Sequence, residues 1–213
     1  MNFLDQFTSI HLDVLKEIGN IGAGNAATAL SSLLNKKVDM KVPDVRIVSF
    51  NEMMELAGGP DNVVASVFLR IEGDAPGSMF FILSLQQASR FIQQMLGDSS
   101  LSLDNPPYDE MALSALQELG NILSGSYLSS LSDFTKLDLY PSVPALSIDM
   151  VGALISFGLI EFSQVSDYAI VIDTALNEDD HHPTESVKGH FFLLPDPDSF
   201  EIIFRSLGVS SYE

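Results

Sequence analysis

The chain contains no cysteine. Disulfides and thiolate metal sites are therefore excluded, and a reducing compartment is the natural setting. Cations are scarce as well. Ten Lys and Arg stand against 29 Asp and Glu, a formal net charge of −19. A surface of that sign repels nucleic-acid phosphates and anionic lipid, so neither nucleic acid nor a membrane is expected as a partner. A basic protein surface would be drawn in faster. Long apolar runs are missing too. Met150 to Ile160 is the most apolar stretch, but Gly152, Ser156 and Gly158 interrupt it, and it falls short of the roughly 20 residues that span a bilayer. Met1 to Asp5 lacks the basic and apolar segments of a secretory signal. The expected location is the cytoplasm.

What is present suits a folded protein. The 213 residues are 46% apolar and 18% charged, enough for a sizeable core in one large domain or two small ones. Leu12, Leu15, Ile18, Gly22, Ala26, Ala29 and Leu33 recur three or four apart and predict a helix with one buried face. Asp13, Glu17, Asn20 and Gly24 fall on the opposite side. Glycine and asparagine weaken a helix, Gly by roughly 1 kcal/mol against Ala, so helix stability does not account for that outward stripe.

The rest of the first half reads as strands and short helices. Val38, Met40 and Val42 alternate with polar residues up to Pro43. Val45 to Phe50 is a second strand and Met53 to Ala57 a helical turn. Val63 to Ile71 is a strand with Val63, Ala65, Val67, Leu69 and Ile71 on one face. Ser78 to Leu83 is a buried strand. Leu85 to Leu96 is an amphipathic helix closed by Gly97. Residues 98–108, rich in Ser, Asp and Pro, read as a linker.

The second half repeats this plan. Ser114 to Gly125 copies Asp13 to Gly24, with Glu17/Glu118, Gly19/Gly120, Asn20/Asn121, Ile21/Ile122 and Gly24/Gly125 identical. Pro43 lies 23 residues after Asn20, and Pro144 lies 23 after Asn121. Phe80-Phe81 matches Phe191-Phe192, and Leu96-Gly97 matches Leu207-Gly208. The offset grows from 101 to 111, which predicts a ten-residue insertion around the acidic stretch 177–185. The expected fold is α+β: halves 1–98 and 108–213 form one domain over 1–213, related by a pseudo-two-fold repeat. They share a largely antiparallel sheet and leave two motif helices outside.

Several constellations compete as sites. Gly22-Ala-Gly24-Asn-Ala-Ala27 matches a dinucleotide fingerprint, but that motif needs a preceding strand, and its copy loses the first glycine. The histidines are His11, His181, His182 and His190. His181-His182 beside Glu178, Asp179 and Asp180 form a possible metal cluster, although a solvated acidic loop has the same composition; no metal is expected. Asp13 with Glu17 could be an acid/base pair, but Ser114 replaces Asp13 in the copy. What survives duplication is Glu with Asn three residues later.

The pattern [Asp/Ser]-x-x-x-Glu-x-x-Asn followed by proline resembles the signature of the CheC/CheX/FliY family, most nearly its CheC branch. Both copies match: Asp13, Glu17, Asn20, Pro43 and Ser114, Glu118, Asn121, Pro144. The resemblance covers essentially the whole chain. It implies a chemotaxis phosphatase that hydrolyses the aspartyl phosphate of the response regulator CheY. Glu17, Asn20, Glu118 and Asn121 would be the catalytic set, supported by Asp13, Ser114, Gly24, Gly125, Pro43 and Pro144. No intrinsic cofactor is implied, since Mg²⁺ would come with CheY. The resemblance also implies binding of the receptor deamidase CheD; the unusually apolar Ala145 to Leu154, with Asp149 and Met150, is a candidate surface for it, although a buried helix or strand of the shared core has the same composition. The alternative is a non-catalytic adaptor that sequesters phosphorylated CheY or CheD.

Overall fold

The computed structural model describes residues 9–161, 168–178 and 187–208. The first half runs α1 (Ser9–Leu34), β1 (Val38–Lys41), β2 (Val45–Ser49), α2 (Phe50–Leu56), β3 (Val63–Gly73), β4 (Gly77–Ser84) and α3 (Leu85–Leu96). The second half runs α4 (Glu110–Thr135), β5 (Leu139–Pro141), β6 (Ala145–Met150), α5 (Val151–Glu161), β7 (Tyr168–Glu178), β8 (Val187–Pro195) and α6 (Pro197–Ser206). The same order of elements occurs twice, as the repeat predicts.

One eight-stranded sheet joins the halves, in the order β1-β7-β8-β4-β3-β5, with β2 also on β7 and β6 also on β3. All pairings among the described residues are antiparallel. The halves exchange strands: β1 and β2 lie on the second half's β7, while β5 and β6 lie on the first half's β3. At the centre Phe80 faces Phe192 and Phe81 faces Phe191, so the duplicated Phe pair meets its own copy across the pseudo-two-fold axis. Strand alternation sends Phe81 and Phe191 into a core with α1, α3 and α4. Phe80 and Phe192 enter a second core with α2 and α5. Covered on both faces, β4 is an almost unbroken apolar run.

Local chemistry marks the element ends. The Ser84 hydroxyl accepts the Gln87 N–H at the start of α3, and Gly97 ends it with φ 68°, a left-handed conformation that suits glycine. At α4 the Asp109 carboxylate accepts the N–H groups of Met111 and Ala112, satisfying donors that the first turn leaves open.

Three expectations are altered, and the connecting segment between the halves is seen to be packed. Ala29 and Leu33 are exposed, and the buried face of α1 continues through Ala27 and Leu30 instead. The chain's return sets this: the Val38 N–H donates to Ser31 Oγ at 2.9 Å, which brings β1 against the Leu30–Ser31 side. Val63 is exposed although in phase with Ala65, because it begins β3 opposite Met150 at the sheet's margin. The segment 98–108 is pinned, with Leu103 fully buried and its N–H donated to Ser89 Oγ at 3.0 Å. The inserted residues are also divided. Val63 faces Met150 and Tyr168 faces Ser49, so Tyr168 is the counterpart of Val63, at an offset of 105. Four extra residues thus precede β7, matching the 11-residue α5 against the 7-residue α2. His181, His182 and most of the acidic stretch 177–185 lie outside the described residues. Among those described, no helix is long and apolar enough to cross a membrane.

Candidate functional site

The motif helices α1 and α4 pack on each other over one face of the sheet. Four of their five glycines divide into two kinds. A Cβ on Gly22 would come within 2.8 Å of the Tyr127 ring and 3.0 Å of its Cα, and one on Gly120 within 2.5 Å of Val67. These two permit close packing of α1 on α4 and of α4 on β3. A Cβ on Gly24 or Gly125 would meet nothing within 4 Å. Tyr127 is buried, stands 3.2 Å by its hydroxyl from Thr174 Oγ1, and is pushed up to about 12 by burial.

Asp13, Glu17 and Asn20 are exposed on α1, as are Ser114, Glu118 and Asn121 on α4. Helical geometry sets each Glu beside its Asn, about one turn apart. Neither Glu17 nor Glu118 takes part in an ion pair among the described residues. Each helix also holds the proline segment that follows it, by a different bond. Asn20 Oδ1 accepts the Val42 N–H at 3.2 Å, one residue before Pro43. In the copy, Gln117 Nε2 donates to the Pro144 carbonyl at 3.2 Å. The 23-residue spacing is thus the path out along the helix and back through one short strand. Ser114 Oγ donates to the Glu110 carbonyl at 2.9 Å, which turns it onto its own helix.

The remaining candidates lie elsewhere. Gly22 to Ala27 is mid-helix, so its N–H groups belong to the helix and form no phosphate loop. His190 Nδ1 lies 2.8 Å from Asp173 Oδ1, and Asp173 accepts from Arg46 Nη2 at 2.9 Å. Strand alternation puts Asp173 on the side of Ala169 and Val171, away from α1 and α4. Among the described residues no group of three or more His, Cys, Asp or Glu could hold a metal ion. Asp149 and Met150 end β6 and are exposed, with Asp149 Oδ1 accepting the Met150 N–H at 2.7 Å. Val151 and Ile155, which follow, are buried under the sheet. The apolar stretch 145–154 is therefore half surface strand and half core helix.

Two segments, 10–47 and 111–148, match the model of the CheC-like family. Each contains a motif helix, the strand after it and the proline. Over 210 residues the chain is 50% identical to the CheY-P phosphatase CheC of Bacillus subtilis, covering 99% of this chain and 100% of that one. The chain belongs to the CheC-like family. The CheC-like fold is also close to that of Thermotoga maritima FliY (TM-score 0.68, 24% identity, covering 95% of this chain and 98% of that one). The FliM middle domain of Helicobacter pylori is similar in fold as well (TM-score 0.67, 14% identity, covering 94% and 99%).

Three features of this CheC-like site escaped the sequence reading. The Val42 N–H has no side-chain signal, since any residue but proline supplies it. Gln117 replaces Lys16 in the alignment of the copies, and that difference marks where the second proline segment is held. Ile10 and Met111 occupy matching positions one turn before the motif, and both are exposed; only the repeat offset relates them.

Proposed function

We propose that this chain is a phosphatase that hydrolyses the aspartyl phosphate of phosphorylated CheY, using Asn20 and Asn121 to place the attacking water. The observation that carries this reading is the outward presentation, twice, of an Asn and of a Glu that makes no ion pair among the described residues, on a helix whose other face is buried. The 50% identity to a CheY-P phosphatase over nearly the whole chain supports it.

Phosphoryl transfer passes through a loose transition state, so the protein contributes mainly position and electrostatics. A neutral carboxamide can accept a hydrogen bond from water through Oδ1 and donate through Nδ2 to a phosphoryl oxygen. That holds water in line without bringing negative charge toward the phosphoryl group. Glu17 and Glu118 pair with a lysine of CheY and orient it, a charge pair that fixes register. Gly24 and Gly125, open on the same face, let the partner's backbone approach. Mg²⁺ comes with the partner. Asp13 and Ser114 act as support, and the reaction takes place in the cytoplasm.

CheD is the second partner in this reading. Exposed Asp149 and Met150 at the end of β6 support it: a carboxylate beside a flexible thioether suits a mixed charged and apolar contact. Asp149→Lys should abolish CheD binding in a pull-down while leaving phosphate release intact.

The phosphatase reading is tested by mixing excess phosphorylated CheY with a trace of this protein and following phosphate release. Many turnovers per chain establish an enzyme. Protection or release that stops at one equivalent establishes the adaptor instead.

A further inference from the structure

We infer that the docking surface for phosphorylated CheY includes an apolar pair on the outward side of each motif helix, Ile10 with Ile21 on α1 and Met111 with the half-buried Ile122 on α4, bracketing the docking glutamate. The inference rests on the phosphatase reading and specifies which further residues of that site recognise the partner.

At 100° per residue, Ile10, Glu17, Ile21 and Gly24 fall within about 60° of one another, in the middle of the exposed face of α1. Met111, Glu118, Ile122 and Gly125 repeat the arrangement on α4. Along the axis the two apolar residues are roughly 16 Å apart with Glu between them. Ile10 is 59% exposed, Met111 65% and Ile21 36%, while Ile122 is half-buried. A single exposed apolar residue needs no explanation. Two matching pairs do, because the copies have diverged around them: Asp13/Ser114, Lys16/Gln117, Gly22/Leu123 and Asn25/Ser126 all differ. Position 21 keeps isoleucine in both copies, and position 10 keeps a large apolar side chain. Among the described residues, Ile10 and Met111 each keep more than half of their surface open to water. The occupant is set by continuity with the Glu and Asn: an apolar surface on CheY beside the cation that Glu17 or Glu118 engages. Covering apolar side chains there would also exclude water from the charge pair and strengthen it.

The helices supply an internal control. Leu33 and Phe134 are also counterparts and comparably exposed, but Leu33 lies about 160° around the helix from Glu17. The test isolates one site at a time. In an Asn121→Ala background, Ile10→Ser with Ile21→Ser should raise KM for phosphorylated CheY about tenfold, with kcat and thermal midpoint nearly unchanged. Ile10→Ser alone, at the more exposed position, should raise it about threefold. In an Asn20→Ala background, Met111→Ser should do likewise. Leu33→Ser with Phe134→Ser should leave KM as it was. An unchanged KM in the stripe variants, or an equal rise in the control, overturns the inference. If the wild-type chain shows no turnover, the phosphatase reading fails instead, and titration with phosphorylated CheY still decides whether the stripe carries binding.

Discussion

The two copies of the motif share a backbone plan but differ in how their surroundings hold it. In the first, Val42 is 3% exposed and its N–H engages Asn20 Oδ1. In the second, the counterpart Val143 is 86% exposed, Asn121 makes no hydrogen bond among the described residues, and Gln117 holds the proline segment instead. Strand β2 is largely covered, whereas β6 alternates between exposed and half-buried. Duplication has preserved where the Asn points while releasing it in one copy. A carboxamide oxygen already accepting a main-chain N–H has one lone pair fewer for water. The second site thus offers the more available amide.

The largest effect should come from removing what the copies share. Asn20→Ala together with Asn121→Ala should lower phosphate release from phosphorylated CheY by about 10²–10³, on the analogy of losing a transition-state donor; each single change should act only in part. Near-wild-type release by the double variant would sink the mechanism.

Next comes a stability contrast between equivalent glycines. Gly120→Ala would force a Cβ to within 2.5 Å of Val67, while the nearest atom to a Cβ on Gly19 is 3.5 Å away. Gly120→Ala should destabilise the fold by about 1–3 kcal/mol through overpacking, and Gly19→Ala should be near neutral or slightly stabilising. Urea unfolding of the two variants measures this, and equal midpoints would erase the asymmetry.

A smaller effect separates the sites in function. Asn121→Ala should cost more activity than Asn20→Ala, by about fivefold, the equivalent of one ordinary hydrogen bond of ~1 kcal/mol. Steady-state rates of the two single variants decide it, and equal losses would show that the Val42 tether has no bearing on turnover.

The smallest effect concerns the helix crossing, where Tyr127 meets Gly22 but its counterpart in α1 is Ala26. The folded state holds the Tyr127 proton to about pH 12, whereas an unfolded tyrosine releases it near pH 10. The folded pKa is raised, so this contribution to stability is full below about pH 10 and is lost as pH rises toward 12. Tyr127→Phe should cost about 1 kcal/mol at neutral pH through the lost Thr174 bond and should flatten that alkaline decline. Unfolding curves at pH 8 and pH 11 test both parts.

The sequence by itself determined the repeat, the motif helices, most strands and the outward stripe of Glu and Asn. Each rests on a local period of 3.6 or 2 residues and on matching two stretches of one chain. Periodicity cannot report where the chain returns. The bond from Val42 to Asn20 joins residues 22 apart, and whether it forms depends on the turn after α1. The division between packing glycines, Gly22 and Gly120, and open ones, Gly24 and Gly125, depends on what each face meets. The exchange of β1 and β2 for β5 and β6 joins residues more than 65 apart, and it settles which strand lies at each margin. Tertiary structure alone decided these points, because burial and long-range pairing are properties of the packed chain and leave no mark on the residues taken one at a time.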